Sequence, residues 1–290
     1  MVTEAGSAIG EESAQDAGRL QRRHAKSGSQ GRRLVDYALR LAKLRPAEVR
    51  FVILYGSAAE GKDRRYSDWD VVVVRKKFLK PAGAVEDLYG MFNGRSVSGW
   101  VADSVSFKQR CIGVDDKLFV WRRRELKKTR LLYGDAREFG RIVGKALSRR
   151  WTRRRQFAVV RESYVTMVEY LGKMLNKVQS GEGGTYEFYQ DGYVIASNFA
   201  MVVAALNKID LDSDKTMFRE VLDQAKTRPK NFERDFAAVS GLTGERRSEG
   251  AVMSASMRLQ RWAQKQVVET FRQSKVGDRG FWQIVKEMKF

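Results

Sequence analysis

The sequence predicts an α/β domain followed by an all-helical domain. Three observations predict it. Up to about residue 139, short apolar runs bounded by turn residues alternate with stretches of helical spacing. From about Gly140 onward the apolar residues keep helical spacing to the end. A chain of 290 residues, 43% of them hydrophobic, has material for a substantial core in one or two domains. The expected division is a flexible tail over 1–31, an α/β domain over 32–139 and a helical domain over 140–290.

Met1 to Gly31 is rich in Gly, Ser, Ala, Glu and Gln and shows no apolar periodicity, hence the tail. Leu34, Leu39, Leu41 and other apolar residues between them fall at helical spacing, and Pro46 limits that helix. Val49 to Tyr55 reads as a buried strand and Asp70 to Val74 as a second. The spacing over Val85 to Phe92 predicts an amphipathic helix, and Ser96 to Ala102 a third strand. Asp116 to Leu132 mixes apolar and basic residues and predicts helix packed near Leu131-Leu132-Tyr133-Gly134. Breaks are expected at Gly181 to Gly184 and near Pro229. Phe199 to Asn207 is apolar on nearly all sides and predicts a buried helix or a dimer contact. Tyr186, Phe188, Tyr189 and Tyr193 are expected in the core, with stacking on an adenine or acceptor ring as the alternative. Met257 to Phe271 reads as a solvent-facing amphipathic helix.

Composition excludes several chemistries. One cysteine, Cys111, rules out an intramolecular disulfide and a multi-cysteine zinc site, and points to the cytoplasm. The sole histidine, His24, lies in the expected tail, so a histidine-based triad or metal site is not expected. The tail lacks the apolar centre of a signal peptide, and no later run has the length of a membrane span. The net charge of +20 concentrates between Trp121 and Arg155, where fourteen Lys or Arg face three acids. Such a block is either a track for nucleic-acid phosphates or a solubilising surface, since charge alone carries no sequence specificity.

The most informative stretch joins the first two strands. An apolar run ends at Gly56-Ser57, and eleven residues later Asp68-Trp69-Asp70 opens the next. Side chains alternate along a strand, so Asp68 and Asp70 project from one face. Two carboxylates there form a site for a hard divalent cation, Mg²⁺ above all, which brings phosphate oxygens with it. Gly56 lets the backbone approach a triphosphate, and Ser57 can hydrogen-bond a phosphate oxygen.

Gly-Ser, a spacer, then Ser67-Asp68-Trp69-Asp70 and an apolar run resembles the signature of the DNA polymerase beta-like nucleotidyltransferase superfamily. The resemblance implies an α/β core with a small mixed sheet, two Mg²⁺ ions held by Asp68 and Asp70, and transfer of a nucleoside monophosphate from an NTP. Many members carry Ala-Arg-Gly soon after Gly-Ser. This chain has Ala59-Glu60-Gly61, an acid in place of a base, with Lys62, Arg64 and Arg65 nearby. Many members also place a third acid on the third strand, where this chain has Ser98; Asp103 after that strand reads as a cap.

In the helical part, Glu169 and Lys173 lie one turn apart, a spacing that most often marks a surface ion pair. The stretch Glu169-Tyr170-Leu171-Gly172-Lys173, followed by Asn176, a loop and an apolar helix, resembles the second domain of the kanamycin nucleotidyltransferases. That resemblance implies Glu169 as the base for the acceptor hydroxyl, Lys173 as a contact to the nucleotide phosphates, and a homodimer. The function expected is Mg²⁺-dependent transfer of AMP from ATP, or of another nucleoside monophosphate, to a hydroxyl. The acceptor is left open between a small molecule, RNA and protein. The alternatives are an inactive relative that binds RNA through residues 121–155, and an antitoxin-like partner.

Overall fold

The computed structural model describes residues 28–63, 67–77, 85–112, 118–241, 248–272 and 279–287. His24, Arg64 and Arg65 lie outside them. The chain divides into two compact units, Met1–Val114 with Arg122–Arg150, and Asp115–Trp121 with Trp151–Phe290.

The first unit is built on a five-stranded mixed sheet of order β3-β4-β2-β1-β5. Its strands are β1 (Val49–Tyr55), β2 (Trp69–Arg75), β3 (Val85–Phe92), β4 (Arg95–Asp103) and β5 (Arg130–Gly134). β2 and β4 run parallel; the other neighbours are antiparallel. Valines fill β2 because both faces of this central strand are covered. On one face Val52, Leu54, Val71 and Val73 pack with Leu34, Val35, Ala38 and Leu39 of α1 (Ser29–Leu41). On the other, Phe51, Ile53, Val72 and Val74 meet α3 (Ser104–Ile112), α4 (Phe119–Lys127) and α5 (Ala136–Leu147) through Phe107, Cys111, Leu126, Phe139 and Ile142. A five-residue helix, α2 (Gly56–Glu60), follows β1 directly.

α5 therefore belongs with the sheet: Phe139, Ile142, Val143, Ala146 and Leu147 bury one stripe of it there. The sheet unit reaches Arg150, beyond the boundary expected at residue 139. α1 begins at Ser29, within the segment read as tail, whose residues 1–27 lie outside the described ones. Two local expectations need correction. Residues 85–92 form β3, an edge strand paired in a hairpin with β4, and not a helix. Residues 130–134 form β5 beside β1, and among the described residues of the preceding stretch only Phe119–Lys127 is helical.

The second unit is all helix: α6 (Arg153–Gln179), α7 (Tyr186–Asn207), α8 (Met217–Gln224), α9 (Phe232–Ser240), α10 (Glu249–Phe271) and α11 (Arg279–Glu287). The first three residues of α4, Phe119–Trp121, count with this unit. Residues 199–205 of α7 are all buried, as their composition predicts. Of the aromatic group, Phe188 is in the core while Tyr186, Tyr189 and Tyr193 are exposed. α10 is amphipathic but not a surface helix, because Leu259, Ala263, Val267 and Phe271 line the core. Its buried Gln260 donates through Nε2 to the Tyr164 hydroxyl at 3.0 Å, while its Oε1 has no partner among the described residues. None of the described helices is long and apolar enough to cross a membrane.

Candidate active site

The ends of β1, β2 and β4 converge at one corner of the sheet. Register pairs Tyr55 with Asp70 across the antiparallel β1–β2 ladder and Asp70 with Ser98 across the parallel β2–β4 ladder. Asp70 thus stands in a row between Tyr55 and Ser98. It shares the strand face of Val72 and Val74, just beyond their cover, and is half-buried. Asp68, one residue before the strand, is exposed. Asp68 and Asp70 thus flank Trp69 at the start of β2.

Gly56 explains why the preceding turn is glycine. Its φ of +72° lies in the left-handed region, and a Cβ added there would sit 2.5 Å from Asp70 Oδ2. The bare backbone of Gly56 leaves that carboxylate oxygen its space. The other oxygen, Oδ1, accepts a hydrogen bond from Ser98 Oγ at 3.1 Å. Gly99 allows the close β2–β4 approach, since a Cβ would sit 1.7 Å from the Val71 carbonyl oxygen. Ser57 opens α2 next to Gly56, and its carbonyl accepts from the Lys62 amide at 3.0 Å, closing the loop on itself.

Two further residues join this corner without having been singled out from sequence. Trp100 of β4 interacts with the Tyr55 hydroxyl. Burial pushes the Tyr55 pKa up to about 12, the Asp70 charge adds to the rise, and the Trp100 hydrogen bond opposes it. Glu125 of α4 adds a smaller upward push on Tyr55, and its own carboxyl is raised by burial against the pull of Arg122 and Lys128. The signal for Tyr55 was its place as the last residue of β1, but only register reveals the contact.

Glu60, at the end of α2, does not stand as a bare acid. Lys62 Nζ lies 3.4 Å from one of its oxygens and Lys128 Nζ 4.0 Å from the other. Asp103 caps α3, accepting from the Val105 and Ser106 amides at 2.9 and 2.8 Å, as its place after the strand predicts.

Glu169 and Lys173 lie on α6 in the second unit, paired with each other at 2.7 Å and both largely exposed. The Lys173 ammonium also sits 4.0 Å from the Tyr170 ring centroid. The Glu169 hydrogen bond raises its pKa.

The basic block is divided. Arg122, Arg123 and Arg124 fall in the first unit and Arg153, Arg154 and Arg155 in the second. Arg153 donates to the Thr270 carbonyl, and Arg155 lies over the Phe119 ring at 5.2 Å. Between them, Arg137, Arg141 and Lys145 recur every fourth residue on the exposed side of α5. The acids beside that stripe are engaged. Asp135 caps α5, its pKa lowered by the Glu138 and Arg137 amides, and Glu138 is lowered by its hydrogen bond with Arg50.

The donor set at the sheet corner fits a hard cation. Two carboxylates, one with an oxygen directed at a glycine backbone, suit Mg²⁺, which keeps waters and substrate phosphates as its other ligands. Among the described residues no group of three or more His, Cys, Asp or Glu forms an all-protein cage.

No protein-family model matches this chain. No curated protein matches it. Among solved structures it is similar to a nucleotidyltransferase-like protein from Exiguobacterium sibiricum 255-15, with 10% identity, a TM-score of 0.49, and coverage of 82% of this chain and 77% of that one.

Proposed function

We propose that this chain is a nucleotidyltransferase, moving a nucleoside monophosphate from an NTP, with ATP the first candidate, to an acceptor hydroxyl. The observation that carries the proposal is the Asp70 carboxylate, held by Ser98 on one oxygen and faced by the Gly56 backbone on the other, with Asp68 two residues before it. Under this reading Gly56 and Ser57 receive the triphosphate, and Lys62 and Lys128 offset Glu60 beside it. Asp68 and Asp70 hold Mg²⁺, which when bound neutralises charge on the phosphates and orients attack. The acceptor oxygen forms a bond to the α-phosphorus as the bond to pyrophosphate breaks. The hydroxyl proton passes to a carboxylate, for which Glu169 is the candidate, with Lys173 as a phosphate contact; a homodimer is part of the same proposal.

Incubating the protein with α-labelled ATP and Mg²⁺, and offering aminoglycosides, tRNA and the protein itself as acceptors, tests the reaction and the acceptor class together. Label on one acceptor, absent with Asp68→Asn and Asp70→Asn, supports the proposal.

The α5 stripe favours a second reading, in which the basic surface binds RNA whether or not transfer occurs. Salt-dependent RNA retention without pyrophosphate release distinguishes it.

A further inference from the structure

Asp68 lies outside the β-ladder, so no strand pairing fixes its backbone. What holds it comes from elsewhere. Arg95, the first residue of β4, follows a two-residue hairpin turn in which Asn93 and Gly94 both have positive φ, 51° and 73°. This is the turn type whose twist matches paired strands, so the position of Arg95 is set by the hairpin. Its side chain reaches the segment before β2 at two points and Trp69, the first residue of β2, at a third. Nε donates to the Ser67 carbonyl at 2.6 Å. Nη1 donates to Asp63 Oδ2 at 2.7 Å, in a pair mostly shielded from solvent. The guanidinium carbon lies 4.0 Å from the centroid of the Trp69 ring. Ser67 and Trp69 are the residues on either side of Asp68.

We infer that Arg95 is the positioning residue for Asp68: it grips both chain neighbours of that carboxylate and ties the start of its loop to β4. The inference rests on the proposed metal-nucleotide site and says how one of its two carboxylates is held. A planar guanidinium suits this task, because it makes two directed hydrogen bonds and stacks on an indole at once; a lysine ammonium keeps the charge but loses the fork.

The test is Mn²⁺ binding in the presence of ATP, followed by the electron paramagnetic resonance of free Mn²⁺, on wild-type, Arg95→Met, Arg95→Lys and Asp63→Asn chains, with Asp68→Asn as reference. Groups that orient metal ligands without touching the metal typically contribute about tenfold to a hundredfold in affinity. Arg95→Met is expected to weaken Mn²⁺ binding by about tenfold or more, and Arg95→Lys to recover only part of it. Asp63→Asn, which leaves the Ser67 and Trp69 contacts in place, should fall between Arg95→Met and wild type. If Arg95→Met does not fold, the Lys and Asn variants decide. Folded Arg95 variants with wild-type affinity, alongside a weakened Asp68→Asn, overturn the inference and leave the site standing. Wild-type protein that binds no Mn²⁺ with ATP, or Asp68→Asn that binds as wild type, overturns the site and the inference with it.

Discussion

Ser98 Oγ donates to Asp70 Oδ1 at 3.1 Å across the parallel β2–β4 pair. Many members of the family that the sequence resembles have an acid at this position. Here a neutral donor takes its place, fixing the rotation of the Asp70 carboxylate instead of adding a third acid. Ser98→Ala should raise the Mg²⁺ concentration needed for half-maximal nucleotide binding by about tenfold, the effect of losing a hydrogen bond to a charged group of about 1.5 kcal/mol. Titration of nucleotide binding against Mg²⁺ checks it; an unchanged midpoint would show that Ser98 does not support Asp70.

Gly56 and Gly61 separate backbone strain from steric conflict. Both have positive φ, +72° and +70°, but a Cβ on Gly61 would meet nothing within 4 Å whereas one on Gly56 meets Asp70. Gly61→Ala should therefore cost only the left-handed strain, roughly 1–2 kcal/mol. Gly56→Ala should cost more by roughly another 1–3 kcal/mol from overpacking. It should also lose nucleotide binding, which Gly61→Ala keeps. Denaturant unfolding of the two variants together with wild type measures the difference.

Alkali should destabilise the protein before any backbone chemistry does. Burial raises both Tyr55 and Tyr164 from 10.0 to about 12 in the folded state, against hydrogen bonds from Trp100 and Gln260. Unfolded tyrosines release protons from about pH 10 while these two retain theirs, so the unfolded state is favoured as pH rises. The stabilisation is fully present below pH 10 and is lost between 10 and 12. Unfolding free energy measured across that range should fall less steeply in Tyr164→Phe than in wild type.

The exposed stripe on α5 makes a separable prediction. Changing Arg137, Arg141 and Lys145 together to Ala leaves Phe139, Ile142 and Val143 packed on the sheet, so the fold should persist. If the stripe contacts RNA phosphates, the slope of log affinity against log salt should shrink by roughly 2, as for three lost contacts to a single strand. An unchanged slope would mark the stripe as a solubilising surface.

β1, β2 and β4 were legible because each is an apolar run with a turn signal at its end, and Gly56-Ser57 and Asp68-Trp69-Asp70 sit at those ends. β3 differs from the helix its spacing predicts for a definite reason. Leu88 and Phe92 are four residues apart, a spacing that suits a helix face as well as alternate positions of an edge strand. The deciding signal was Asn93-Gly94, which adopts the positive φ values of a hairpin turn. β5 was too short a run to tell from a buried helix end. The Tyr55–Asp70–Ser98 row and the Arg95 clamp were not legible, since both depend on register and on residues brought together from separate strands.

The most direct test of the central claim is transfer of the α-labelled phosphoryl group from ATP. With Mg²⁺ and a suitable acceptor, label is expected on the acceptor with stoichiometric pyrophosphate release, and both should be lost in Asp68→Asn and in Asp70→Asn chains that remain folded. Undiminished transfer by either variant, or a wild-type chain that binds no Mg²⁺-ATP, would contradict it.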